Sequence, residues 1–109
     1  MQGLVVILKS FSLIILLGGL LGPAYAEEIK GDPEYGKYLS SECVTCHNTT
    51  QNNTGIPKIA GLSADGMMAL LKAYKNKELD NVTMQTIAAS LDDEQMAAIA
   101  VYYASLKEN

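Results

Sequence analysis

The chain of 109 residues carries 12 acidic and 8 basic side chains, which gives a formal charge of −4 at pH 7. Because basic side chains are not in excess, this balance argues against a nucleic acid as the partner. The chain has two cysteines and one histidine, so only carboxylates could complete the four ligands that a structural zinc ion normally takes.

The N-terminal residues have the pattern of a secretory signal peptide. Lys9 is followed by an apolar run from Phe11 to Leu21 and then by Ala24-Tyr25-Ala26, a small-residue cleavage pattern. The run is shorter than the roughly 20 residues that span a bilayer. We therefore expect cleavage after Ala26, with residues 1–26 as signal peptide and residues 27–109 as one exported, periplasmic domain. An uncleaved segment would instead anchor the chain to the membrane.

The first helix of the exported part is predicted to begin at Pro33, which suits a first helical turn, with Asp32 as its N-cap. Apolar side chains then recur four residues apart, at Tyr35, Leu39 and Cys43. This spacing predicts that the helix runs into the cysteine motif. The segment 48–61 is rich in Asn, Thr, Gly and Pro and is typical of an irregular loop.

Three further helical segments are predicted downstream. Ser63 is the N-cap of the second, a polar turn over 78–83 precedes a short third segment from Met84 to Ser90, and Asp92 with Gln95 forms a capping box for the last. The second and last helices each carry an apolar face at a spacing of three and four residues, namely Met67, Leu70, Leu71 and Tyr74, and Met96, Ile99, Ala100 and Tyr103.

These patterns predict an all-α domain of three to five short helices with two long loops, since no stretch alternates with a period of two for long enough to predict a sheet. A domain near 80 residues rarely gains more than about 3–5 kcal/mol from its core alone. Long loops in so small a domain usually wrap around a bound group. The sequence therefore favours a cofactor or a covalent staple.

Both cysteines and the histidine lie within the stretch SSECVTCHNT, where Cys43 and Cys46 are separated by two residues and His47 follows directly. A zinc site lacks further Cys or His ligands, and a thioredoxin-like motif would need a preceding strand. A disulfide between the two cysteines leaves His47 without a role. Haem attachment uses all three residues, with each thiol bonded to one vinyl group and His47 as the proximal iron ligand.

The second axial ligand, if the protein supplies it, must be a Met, Lys, Tyr or chain terminus. Met67 and Met96 lie on the apolar helix faces, where core packing is expected, and Met68 lies off the face and is expected to fill a gap. Met84 stands apart because it follows the polar turn Asp80-Asn81-Val82-Thr83. We predict that this turn brings the Met84 sulfur to the iron, although Met84 could instead be a packing residue at the start of the next helix.

Together these residues resemble the class I c-type cytochromes over nearly all of residues 27–109. The matching stretches are GKYLSSECVTCH (36–47), GIPKIAGL (55–62) and VTMQTIAASLDDEQMAAIAVYYASL (82–106). The resemblance implies an all-α class I cytochrome c fold, with three to five short helices around one covalently attached haem and its iron.

The resemblance also assigns roles to single residues. In the family, a glycine on the first helix lets an aromatic residue of the last helix cross closely, which corresponds to Gly36 and to Tyr102 or Tyr103. A proline carbonyl in the loop after the haem motif accepts a hydrogen bond from the proximal histidine, which corresponds to Pro57. The family's axial methionine corresponds to Met84.

More narrowly, residues 55–89 are similar to the haem domains of dihaem cytochromes c and of the cytochrome subunit of flavocytochrome c sulfide dehydrogenase. The chain departs from that pattern before the methionine loop, where Glu78-Leu79-Asp80 replaces the common basic residue. The resemblance implies a redox protein as partner, for which a flavoprotein subunit is one candidate.

The predicted function is therefore that of an exported monohaem electron carrier rather than an enzyme. Cys43 and Cys46 would tether the haem, while His47 and Met84 would ligate its iron. The alternative is a five-coordinate haem enzyme or gas sensor, in which Met84 does not bind. Such sites usually need distal polar groups, and the chain has no second histidine and no arginine to supply them.

Overall fold

Four helices form the part of the chain that the structure, a computed structural model, describes: residues 27–48 and 55–106 with Gly19, Gly22 and Pro23. They are α1 (Pro33–Leu39), α2 (Ala64–Lys75), α3 (Val82–Ala89) and α4 (Asp93–Ser105). No strand occurs in these described ranges. None of the helices found there has the length and apolar character needed to cross a membrane. The predicted signal segment lies almost wholly outside the described residues.

Helix α1 begins where its N-cap was predicted, because the Asp32 carboxylate accepts hydrogen bonds from the backbone amides of Glu34, at 2.9 Å, and Tyr35. It ends at Leu39, however, before the cysteine motif. Beyond this point the chain continues as separate turns over 40–46. The Ser40 hydroxyl donates to the Lys37 carbonyl at 2.6 Å, a local side-chain bond of the kind that competes with helix continuation.

Helices α1 and α4 cross at Gly36, which is buried. A Cβ atom at Gly36 would lie 2.8 Å from the Cβ of Tyr102 and closer still to the backbone of Ala98, which is nearer than non-bonded carbons approach. The crossing therefore requires glycine at this position. Of the two tyrosines that the resemblance proposed for this contact, Tyr102 is the one that packs against Gly36.

The core lies between α2 and α4. Its buried side chains come from the two apolar faces that the sequence predicted, with Met96 only 1 % exposed, and are Met67, Leu71, Met96, Ile99, Ala100 and Tyr103. Met68 is partly buried against this cluster, as expected for a gap-filling residue. Leu70 differs from the prediction, since it is 41 % exposed and borders a cavity instead.

The caps of α2, α3 and α4 explain where each helix starts. Ser63 accepts a hydrogen bond from the backbone amide of Gly66, and Asp92 forms the predicted capping box with Gln95. Helix α3 begins at Val82, two residues before the predicted start. The reason is that the Asn81 side chain accepts from the Met84 amide at 2.9 Å and so serves as N-cap.

Candidate haem site

The orientation of His47 is set by two hydrogen bonds. Its backbone amide donates to the Cys43 carbonyl at 2.8 Å, which holds the motif as a helical turn. Its Nδ1 atom lies 2.7 Å from the carbonyl oxygen of Pro57. Because a carbonyl oxygen only accepts, Nδ1 must carry the proton. The Nε2 atom of the neutral ring is then left with a lone pair for a metal ion.

The segment that carries Pro57 is irregular, as predicted for the described part of the loop, and a glycine turn and one hydrogen bond to α4 shape it. Gly55 has a φ of 75°, a conformation that glycine adopts without steric cost. The Gly61 amide donates to the Tyr103 carbonyl at 3.0 Å, which ties the loop to α4. The Pro57 carbonyl is therefore supported from the core.

The two cysteines lie in different surroundings. Cys43 is half-buried and packs against the core cluster, whereas Cys46 is exposed, and neither is in a disulfide. Burial raises the pKa of the Cys43 thiol, and the Tyr103 side chain partly offsets this rise. Both cysteines line the same cavity as His47.

Met84 lies in the first turn of α3, which begins at Val82 and not at Met84 as the sequence predicted. Its backbone amide is bound by Asn81, and its side chain is partly buried against the core. Met84 lines the cavity together with His47. The first turn of a capped helix therefore takes the place of the polar turn that was predicted to position the thioether.

The remaining methionines have core positions. Met67 is 4 % exposed and Met96 is 1 % exposed, which confirms the predicted packing of both. Met67 also borders the cavity, so it is the natural comparison for Met84 in mutational tests.

The cavity has a volume of about 450 Å³ and mainly apolar walls. It joins the cysteine motif, the loop of Pro57 and the helices α2, α3 and α4. Its apolar lining includes Ile59, Met67, Leu71, Ile87, Leu91 and Ile99. An apolar cleft of this size, with two thiols, an imidazole and a thioether in its walls, fits a flat aromatic macrocycle that carries a metal ion.

No three His, Cys, Asp or Glu side chains of the described ranges come together as a metal-ligand group. A zinc site built from carboxylates, which the sequence left as an alternative, therefore has no cluster in this part of the chain to support it.

The surroundings of Cys43 contain two residues that the sequence reasoning did not connect with the motif. Ser40 is buried at 4 % exposure, and Tyr103 at 3 %. Burial raises the pKa of the Tyr103 hydroxyl, to which the nearby Cys43 thiolate adds by charge repulsion. A signal was present, since Cys43 follows soon after Gly36, where the chain crosses the helix that carries Tyr103.

Comparison with known proteins gives the family. No family model matches the chain. The chain is 34 % identical over 80 residues to cytochrome c-554(548) of Halomonas halodenitrificans, which covers 69 % of this chain and 96 % of that protein. It is 30 % identical over 104 residues to cytochrome c-552 of Acidithiobacillus ferridurans, which covers 89 % of this chain and 44 % of that protein. Over 61 residues it is 36 % identical to a thiosulfate dehydrogenase electron acceptor of Stutzerimonas stutzeri, which covers 53 % of this chain and 28 % of that protein.

Fold and cavity together define a small all-helical haem domain. The chain belongs to the class I c-type cytochromes. Its cofactor is covalently bound haem c with its iron. The chain spans less than half the length of the c-552 relative.

Proposed function

We propose that this chain is an exported monohaem cytochrome that passes single electrons between redox partners and performs no bond chemistry of its own. Residues 1–26 are assigned to a cleaved signal peptide and residues 27–109 to one periplasmic cytochrome domain. The observation that carries the electron-transfer assignment is the meeting of the C-x-x-C-H side chains and Met84 in one apolar cavity.

Four side chains have defined roles in this proposal. Cys43 and Cys46 would hold the haem through thioether bonds, and His47 and Met84 would ligate its iron. When bound, the haem iron cycles between Fe(III) and Fe(II) and so holds one electron. The Pro57 carbonyl keeps the imidazole of His47 in the tautomer and orientation that binding requires.

The ligand pair distinguishes an electron carrier from a haem enzyme or gas sensor. A histidine–methionine pair raises the reduction potential and closes the iron to small molecules, whereas an enzyme or sensor keeps one axial position open. The position of Met84 supports closure, because its backbone is anchored by Asn81 and its side chain lines the cavity.

A redox titration combined with carbon monoxide binding tests the function. The holoprotein should undergo one reversible one-electron transition, and the reduced form should keep its spectrum under carbon monoxide. A reduced wild-type spectrum that changes fully on carbon monoxide addition would favour the five-coordinate alternative. Recovery of the haem protein from the periplasmic fraction of the native cells tests the export.

The proposed partner is a larger oxidoreductase that acts on an inorganic sulfur compound. The similarity to a thiosulfate dehydrogenase electron acceptor supports this class. Within the class, we propose a flavoprotein dehydrogenase of the sulfide-oxidising type, because residues 55–89 resemble its cytochrome subunit. The formal charge of −4 argues against docking as a strongly basic free carrier.

The surface beside the cavity suits a stable subunit contact. Ile56 is 39 % exposed, and both Ile56 and Ile59 line the cavity, so an apolar contact could form at its edge. Size-exclusion chromatography of the native extract should therefore show haem eluting with flavin, and the complex should survive high salt. Haem that elutes alone at the mass of the cytochrome would instead support a free carrier, and haem that elutes with a flavin-free dehydrogenase would contradict the flavoprotein assignment.

A further inference from the structure

The phenol of Tyr103 is a buried polar group that the assigned haem ligands leave unused. Tyr103 is 3 % exposed in the centre of the core cluster. Among the described residues its hydroxyl is the one buried side-chain oxygen or nitrogen without a hydrogen bond in standard geometry. A buried hydroxyl is normally paired, because leaving it unpaired destabilises the fold. We therefore expect this hydroxyl to have a hydrogen-bond partner in the functional state.

Two polar side chains belong to the same packed region as this hydroxyl. Cys43 packs against the core cluster that contains Tyr103, and the carbonyl of the buried Ser40 accepts from the Cys43 amide at 2.9 Å. Both side chains also influence the pKa of Tyr103. The single proton of the Ser40 hydroxyl is already donated to the Lys37 carbonyl at 2.6 Å. A cysteine sulfur that forms a thioether has no proton left to donate. In the haem-bound chain both neighbours can therefore only accept, and Tyr103 is the donor of the group.

The backbone of Tyr103 is hydrogen-bonded to the loop that carries Pro57. Its carbonyl accepts from the Gly61 amide at 3.0 Å and so anchors the loop that presents Pro57 to His47. The ring is held edge-on by Tyr102, with ring centroids 5.2 Å apart. Tyr103 thus lies between the cysteine motif, which packs against its cluster, and the loop that carries Pro57.

We propose that Tyr103 is a positioning residue of the haem site, whose buried hydroxyl donates a hydrogen bond to the Cys43 sulfur once that sulfur is bonded to the haem. This inference rests on the proposed attachment through Cys43. No bond is made or broken and no proton is transferred, so the hydroxyl acts only as a fixed dipole.

The dipole has a defined effect on the potential. Its positive end points at a sulfur bonded to the macrocycle, and reduction adds one negative charge to the haem. A positive dipole in an apolar, water-poor site favours the reduced form more than it would in water. Tyr103 should therefore raise the reduction potential, in keeping with the tuning of haem proteins by hydrogen bonds around the site.

The test compares Tyr103→Phe, which removes only the hydroxyl, with Tyr102→Phe as the matched control on the same helix. Midpoint potentials are measured by spectroelectrochemistry on the holoproteins, and the carbon–sulfur stretching band of the thioether is followed by resonance Raman spectroscopy. Tyr103→Phe should lower the potential and shift the band, while Tyr102→Phe leaves both near their wild-type values.

Three results would overturn the inference. The first is a Tyr103→Phe protein with wild-type potential and band, and the second is an equal change in Tyr102→Phe. The third uses Ser40→Ala, since the same band shift in this variant would mean that the hydroxyl acts through Ser40. Covalent haem, measured as the pyridine haemochrome after acid–acetone extraction, separates these failures from the proposed function. Its absence in wild type would refute the attachment itself, whereas its presence leaves the attachment standing whatever the potentials show.

Discussion

The carbonyl oxygen of Pro57 accepts a hydrogen bond from Nδ1 of His47 at a distance of 2.7 Å. The two residues belong to different segments of the chain, and the bond determines which imidazole nitrogen can bind a metal ion. Because the acceptor belongs to the backbone, the conformation of the loop is what preserves the bond, and the proline ring contributes by restricting that conformation.

Replacing Pro57 by alanine should leave the hydrogen bond and the haem in place. The unfolded chain gains conformational freedom, so the free energy of unfolding should fall by about 0.4–1 kcal/mol. Guanidinium denaturation followed at the haem absorbance measures this change. A Pro57→Ala protein that lost its low-spin spectrum would show that the ring itself, and not only its carbonyl, is needed to orient His47.

Met84→Ala should open the sixth coordination position. Oxidised wild-type protein should show a weak near-infrared sulfur-to-iron charge-transfer band, which the variant should lack, together with a lower potential and binding of carbon monoxide. The controls Met67→Ala and Met96→Ala should keep the band and lose about 2–5 kcal/mol of stability, because both side chains are buried in the core. Loss of the band in Met67→Ala with its retention in Met84→Ala would transfer the axial role to Met67.

Cys43→Ala combined with Cys46→Ala should give a protein without covalent haem. Acid–acetone should leave the haem with the wild-type polypeptide and remove any haem from the double variant. We also expect the double variant to be largely unfolded by far-ultraviolet circular dichroism, because a domain of this size depends on its cofactor for stability. Wild-type haem that is extracted by acid–acetone would rule out thioether attachment.

Gly36→Ala should weaken the crossing of α1 and α4. The new methyl group would lie 2.8 Å from the Cβ of Tyr102, so the helices must separate. We expect a destabilisation of about 1–3 kcal/mol, which is typical of overpacking. Thermal unfolding measures this loss.

Gly66→Ala is the matched control for the crossing. Its added methyl group meets only the Ser63 hydroxyl, at 2.9 Å, on a side chain that can move. The gain in helix propensity, about 0.5–1 kcal/mol, offsets the disturbed cap. Equal destabilisation of both variants would contradict the claim that the Gly36 crossing is special.

Features that depend on near neighbours in the chain were determined by the sequence. The caps at Asp32, Ser63 and Asp92 each join a side chain to a backbone amide two or three residues away, so the residue type at each position is enough to predict the cap. The C-x-x-C-H motif and the two apolar helix faces are local in the same sense, and the families of the relatives agree with the cofactor that the motif implied.

The exact ends of two helices were harder to predict from the sequence, because polar side chains there bond to the nearby backbone. Helix α1 ends at Leu39, and the hydroxyl of the next residue, Ser40, bonds to the Lys37 carbonyl, although the apolar spacing continues to Cys43. Helix α3 starts at Val82 because Asn81 caps it, although its neighbours resemble a turn. In both cases a side chain at the helix boundary bonds to the nearby backbone, and the apolar pattern did not indicate that bond.

The tertiary structure alone decided which distant residues meet. Tyr102 and Tyr103 are consecutive in the sequence, but only the crossing of α1 and α4 assigns Tyr102 to Gly36 and leaves Tyr103 in the core cluster against which Cys43 packs. In the same way, only the folded loop brings the Pro57 carbonyl to His47. Such contacts join segments far apart in the chain, and they depend on how whole helices pack, which no local residue pattern specifies.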